Sequence, residues 1–119
     1  MKRGEVWTVA GAKDYAGKPR PVVVVQDDRF DGTNSVTICA FTTDPTNAPL
    51  FRLPVKPNDE NGLRVACKLM VDKMTTVSRK KIGVRVGRLS DEDMVRLNRA
   101  LLVFLGMAGS NPAERNDSD

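Results

Sequence analysis

The chain has no histidine, and that absence excludes more chemistry than any other feature of its 119 residues. Without an imidazole there is no Ser-His-Asp triad, no Cys-His pair and no two-histidine ribonuclease scheme. An enzyme built from this sequence must move protons with carboxylate, hydroxyl, thiol or lysine groups. A zinc site takes about four Cys or His ligands, and the chain offers only Cys39 and Cys67. Neither metal nor cofactor is expected. Both cysteines sit inside apolar patterned segments and read as small buried hydrophobes, not as a disulfide. Long hydrophobic runs are missing too: nothing approaches the roughly 20 apolar residues of a membrane helix, so no membrane partner is expected. The opening MKRGEVWTV carries two basic residues but no apolar h-region and no small-residue cleavage site. It reads as a first strand, and the expected location is the cytoplasm.

What is present describes an ordinary globular domain, 40% hydrophobic and 29% charged, long enough for one core and too short for two. A net charge of +4 and a pI near 9.3 suit an anionic partner. Many basic domains bind nothing anionic, so the charge alone decides little.

Alternation predicts strands. Gly4 to Ala10 sets Val6 and Thr8 on one face and Trp7 and Val9 on the other. A long loop over 11–19 leads to Arg20-Pro21 and the run Val22 to Val25, whose four β-branched residues mark a central strand that tolerates Pro21 only at its start. Residues 27–34 read as a turn. Ser35 to Thr42 is a strand with Val36, Ile38 and Ala40 on one face and Cys39 and Phe41 on the other. A loop over 43–49 follows, then Phe51 to Val55, placed at an edge by Pro54. Residues 56–62 form a strong turn signal, Val65 to Asp72 a further strand, and Met74 to Val77 leads into a turn over 78–82. Val84 to Leu89 is the last strand. Ser90 caps a helix whose first turn is Asp91-Glu92-Asp93. Met94, Leu97, Leu101, Phe104 and Leu105 recur at helical spacing, and Gly106 or Gly109 ends the helix. Trp7 and Phe104 are expected in the core. The fold class is α+β, mostly β: an SH3-like barrel or strongly bent antiparallel sheet with a C-terminal helix, one domain over 1–108 and a polar, frayed tail over 109–119.

The order of motifs then carries a resemblance. Arg3-Gly4-Glu5-Val6-Trp7 opens the chain, Arg20-Pro21 precedes the valine run, Ala40-Phe41-Thr42-Thr43 ends one strand, Val71-Asp72-Lys73 another, and Gly87-Arg88-Leu89-Ser90 leads into the helix. In this order and at these separations the chain resembles the MazF/PemK (Kid) toxin family over residues 2 to 107. The resemblance implies the toxin of a type II toxin–antitoxin pair and a CcdB/PemK-like fold. It implies a homodimer and metal-independent, sequence-specific cleavage of single-stranded RNA. It further implies a cognate antitoxin whose acidic C-terminal segment fills the RNA groove, with DNA binding shared with that antitoxin. The family's arginine at the R-P step matches Arg20, and its threonine after the third strand matches Thr42. One branch also uses an arginine and an aspartate two residues apart near the fifth strand. Asp72 matches the aspartate, but Met70 stands at the arginine's position, and Lys68 or Lys73 is expected to supply that charge.

Metal-free cleavage needs the 2′-hydroxyl deprotonated, the phosphorane charge stabilised and the 5′-oxygen protonated. Arg20 suits the second task, as a permanently charged fork of donors. The Thr42 hydroxyl adds a hydrogen bond to the phosphate or orients the 2′-oxygen. The general base is Asp14 or Asp72. Tyr15 could stack on a base or donate a proton, and Lys13, Lys18 and Thr43 could contact RNA. Blander roles compete at each position. Arg20 could be an edge charge paired with Asp27, Thr42 and Thr43 could merely end a strand, Asp72 could form a turn, Asp14 could be a loop charge, and Tyr15 could lie at the core edge. Arg79, Lys80 and Lys81 read as a solvated turn that could assist phosphate steering. Two rival functions are an inhibitor of DNA gyrase with the CcdB-like fold and a non-catalytic RNA-binding barrel.

Overall fold

The computed structural model describes residues 1–10 and 19–108; Lys13, Asp14, Tyr15, Lys18 and the tail 109–119 lie outside them. Among the described residues, seven strands and one long helix follow in order: β1 (Glu5–Val9), β2 (Arg20–Val24), β3 (Ser35–Thr42), β4 (Arg52–Val55), β5 (Cys67–Met70), β6 (Thr75–Ser78), β7 (Ile82–Arg88) and α1 (Asp91–Phe104). All pairings are antiparallel, in the order β4-β5-β3-β2-β1-β7, with β6 also on β3. The valine run is therefore interior, between β1 and β3, and Pro54 lies on an edge strand where its missing N–H is harmless.

The sheet bends where β3 changes partner. Ser35–Ile38 pair with β6, whereas Phe41 and Thr42 pair with β5. A 3-10 turn at Val71–Lys73 joins those two strands along one edge of β3. The expected strand through Asp72 thus stops at Met70, and the segment read as leading into a turn is itself β6. Pro21 is the second residue of β2, opposite Thr8, not the first. The sheet is strongly bent but not closed by strand pairing: its ends, β4 and β7, are joined by the β4–β5 loop. Arg88 N–H donates to the Glu60 carbonyl at 2.9 Å. Gly62 (φ +71°) lets the loop approach β7, since a Cβ there would collide with the Val86 carbonyl oxygen.

The alternation in the sequence sorts side chains onto two faces. Val6, Val23, Cys39, Phe41, Leu53, Val55 and Leu69 pack together beneath Leu89, Leu97 and Ala100. Val22, Val24, Val36 and Ile38 form a second cluster, with Trp7, Val9, Ala40 and Ile82 against it. The Ser90 hydroxyl accepts from Asp93 N–H at 3.1 Å, as the cap signal requires, and Gly106 (φ +73°) follows the helix end. One aromatic expectation needs correction. Trp7, partly buried, packs against the second cluster, but Phe104 is 45% exposed at the end of the helix, where its ring meets Phe51 at 6.2 Å. Cys39 and Cys67 are free and buried, and burial pushes their thiols up to about 12 and about 11. No helix among the described residues is long and apolar enough to cross a membrane.

Candidate active site

Register brings the separate motifs into one row. Val22 lies opposite Ala40; Arg20 starts β2 and Thr42 ends β3, each two residues out from that pair and on the same side of its strand as its member of the pair. Directly opposed residues stand about 4.5–5.5 Å apart at Cβ. Thr42 in turn lies opposite Lys68 and Lys68 opposite Pro54, with Arg52 opposite Met70 one step along. Arg20, Thr42, Lys68, Met70 and Arg52 thus share the face that does not carry α1, since their strand neighbours Phe41, Leu53 and Leu69 are buried under the helix. Arg20 and Thr42 also both border a cleft of about 500 Å³, with Thr43, Leu63, Arg64 and Val65 on its walls.

The Thr42 hydroxyl is oriented. Its oxygen accepts the Asp44 N–H at 3.1 Å, so its own proton is left to donate elsewhere. Asp44 shapes the loop that follows, accepting from Thr46 N–H at 2.8 Å and the Thr46 hydroxyl at 2.6 Å, and these bonds hold its carboxyl below the usual range. Lys68 Nζ donates to the carbonyls of Pro45 (3.3 Å) and Thr46 (2.7 Å).

Asp72 occupies the turn after β5 and is gripped by Arg52, Nε to Oδ1 at 2.7 Å and Nη2 to Oδ2 at 3.1 Å. The pair is largely shielded, with side chains 13% and 19% exposed. That fork holds the Asp72 carboxyl below its ordinary value. Lys73 beside it is exposed. The guanidinium that meets Asp72 therefore comes from β4, and Arg52 is a candidate residue that the sequence pattern did not single out. Its only signal was outward alternation in the strand, Arg52 and Pro54 against Leu53 and Val55, which says nothing of its partner. Asp27 pairs with Arg29. Arg79 is bound to the Asp31 carboxylate and carbonyl, which ties the turn before β7 to the loop before β3. Among the described residues no group of His, Cys, Asp and Glu could hold a metal ion.

Comparison with known proteins bears on this arrangement. Residues 2–105 match the family described as PemK-like, MazF-like toxin of type II toxin-antitoxin system. A protein of Mycolicibacterium smegmatis named "Probable endoribonuclease MazF" is 55% identical over 109 residues, 92% of this chain and all of that one. Among solved structures, an endoribonuclease in complex with its cognate antitoxin from a mycobacterial species superposes with a TM-score of 0.74 at 22% identity, over 92% of this chain and 99% of the other. A MazE-MazF structure from Deinococcus radiodurans gives 0.69 at 16% identity, over 91% and 97%. At such identities the structures speak to the fold alone.

Proposed function

We infer that this chain, which belongs to the PemK-like, MazF-like toxins of type II toxin–antitoxin systems, is an endoribonuclease that cuts single-stranded RNA by attack of the 2′-oxygen on the adjacent phosphorus. The 5′-oxygen leaves, giving a 2′,3′-cyclic phosphate and a 5′-hydroxyl. The observation that carries the reading is that Arg20, at the start of β2, and Thr42, at the end of the neighbouring β3, line one cleft. A guanidinium offers charge and paired donors to the non-bridging oxygens of the phosphorane. The Thr42 hydroxyl, its oxygen already engaged by Asp44 N–H, offers its proton to the same phosphate. Preorganised donors of this kind contribute about 10²–10³ in rate each.

Asp72 is a poor general base as it stands: both oxygens are engaged by Arg52 and its pKa is lowered, whereas a base works best with a pKa near the operating pH. That shifts the role toward Asp14, and Lys13, Tyr15 and Lys18 of the same loop remain proposed RNA contacts, as do Thr43 and Lys73. The cytoplasm is the proposed location. A cognate antitoxin with an acidic C-terminal segment is the proposed partner, drawn to Arg20 beside the cleft. A second copy of this chain would cover the apolar surface at the helix end, where Leu102, Leu105 and Met107 are exposed; light scattering of the purified protein measures that directly.

Arg20→Ala lowers cleavage of a long single-stranded transcript by about 10²–10³-fold or more while leaving the circular dichroism spectrum unchanged. Undiminished cutting by that variant, or products with a 3′-hydroxyl end, would refute the mechanism. Cleavage survives EDTA. Incubation with RNA alone, no gyrase present, separates this activity from gyrase inhibition, and intact RNA that nonetheless binds would mark a non-catalytic barrel.

A further inference from the structure

Lys68 has an unusual assignment for a cation in a nucleic-acid site. It lies directly opposite Thr42 on β5, yet its ammonium points back to the loop that follows Thr42 and donates to two consecutive carbonyls, Pro45 at 3.3 Å and Thr46 at 2.7 Å. Residues 43–46 are all exposed; no buried apolar side chain anchors them. Their geometry therefore rests on polar contacts: the Asp44 carboxylate holding Thr46 from inside the loop and Lys68 holding the loop to the sheet. The first product of that geometry is the Asp44 N–H, which donates to Thr42 Oγ at 3.1 Å. That bond occupies the hydroxyl oxygen as an acceptor and aims its proton outward.

We propose that Lys68 is a positioning residue: by latching loop 43–46 to β5 it keeps the Asp44 amide on the Thr42 hydroxyl and so fixes the direction of the proton that Thr42 presents to the scissile phosphate. An ammonium has three protons to donate, and two of those at Lys68 already meet carbonyls, which leaves it poorly placed to grip a phosphate. The proposal rests on the ribonuclease reading for its catalytic half, while the latch itself does not.

The test uses the full chain, an RNA with a single cut site, and the variants Lys68→Met and Lys68→Arg. Lys68→Met lowers kcat by about 10- to 100-fold, the range expected when a donor is misplaced by an ångström or so. It leaves KM and the salt dependence of kcat/KM unchanged. Lys68→Arg, which can still bridge two carbonyls, recovers most of kcat. Independently of RNA, the Asp44 amide exchanges with solvent faster in Lys68→Met than in wild type, while the amides of β3 do not. A direct phosphate contact gives a different result: KM rises, kcat holds, and the slope of log affinity against log salt falls by about 0.7, one contact's share for a single strand. That outcome, or kinetics and exchange both unchanged, overturns the proposal. If wild type cuts no RNA, the ribonuclease reading fails while Asp44 exchange still decides the latch.

Discussion

At the scale of single residues, the candidate site is a matter of which lone pairs and protons are already committed. Thr42 is the clearest case, because the amide of Asp44 fills one side of its hydroxyl. Thr42→Ser keeps that arrangement and retains cleavage. Thr42→Val keeps the shape, removes the donor and leaves the Asp44 N–H without its acceptor, so kcat falls by about 10²-fold or more. Equal kcat for the Ser and Val variants would remove the hydroxyl from the mechanism. Asp72 illustrates the opposite condition, with both oxygens held by Arg52. Its pKa is lowered in the folded chain, so its share of stability is present above the ordinary value of 3.8 and is lost as pH falls through the lower folded value. Thermal melts of wild type and Asp72→Asn therefore differ at neutral pH, by about 1.5–3 kcal/mol for charged hydrogen bonds, and converge only in acid, as the pH falls through the lowered folded value. Arg20, Thr42 and Asp72 could be singled out as candidates because each stands in a local motif. Arg52 was not, because its meaning depends on the β4–β5 register, and nothing within four residues of it announces a carboxylate two positions past Met70.

At the scale of elements, what was legible followed from alternation and caps. The two-faced strands β1 and β3 and the valine strand β2 sorted their side chains as the period of two demands, and the Ser90 cap started α1 where it should. Termini and short polar strands were harder. Thr75–Ser78 is a strand only because β3 offers it an edge; its own residues are mostly exposed and show no apolar alternation. The β4–β5 loop was readable as a turn but not as the part that joins the two ends of the sheet. Asn61 organises it: fully buried, its side-chain oxygen accepts from Asn58 N–H (3.2 Å) and Leu63 N–H (2.9 Å), and its amide donates to the Lys56 carbonyl (2.9 Å). Asn61→Ala removes the partner of three backbone groups at once, those of Lys56, Asn58 and Leu63, and each one that water cannot reach costs about 1–3 kcal/mol. Even with water repairing some of them, urea titration should show a loss of about 2–4 kcal/mol. A loss under about 0.5 kcal/mol, the level of an ordinary surface change, would mean the loop is not what joins the sheet ends.

At the scale of the whole molecule, the missing histidine becomes a statement about pH. Burial lifts the Cys39 and Cys67 thiols to about 12 and about 11, out of the neutral range. The shifted aspartates move the other way: Asp27 through the Arg29 amide and guanidinium, Asp44 through Thr46, Asp72 through Arg52. Depressed carboxylates contribute stability that is complete above their unfolded pKa and lost only as pH falls through the folded one. Between about pH 5.5 and 7, where imidazoles would ordinarily titrate, stability should be flat, and the melting temperature should change by no more than about 2–4 °C, equivalent to about 1 kcal/mol. The two thiols should likewise resist a thiol reagent at neutral pH until the protein is unfolded, since the thiolate is the reactive form. Any rise of kcat/KM across that same window would then belong to the reaction and not to folding. Asp72, lowered and held by both nitrogens of Arg52, is not the expected source, so Asp14→Asn should abolish the rising limb while Asp72→Asn leaves it in place. The converse, a limb that survives Asp14→Asn and vanishes in Asp72→Asn, would require Arg52 to release its carboxylate when RNA binds.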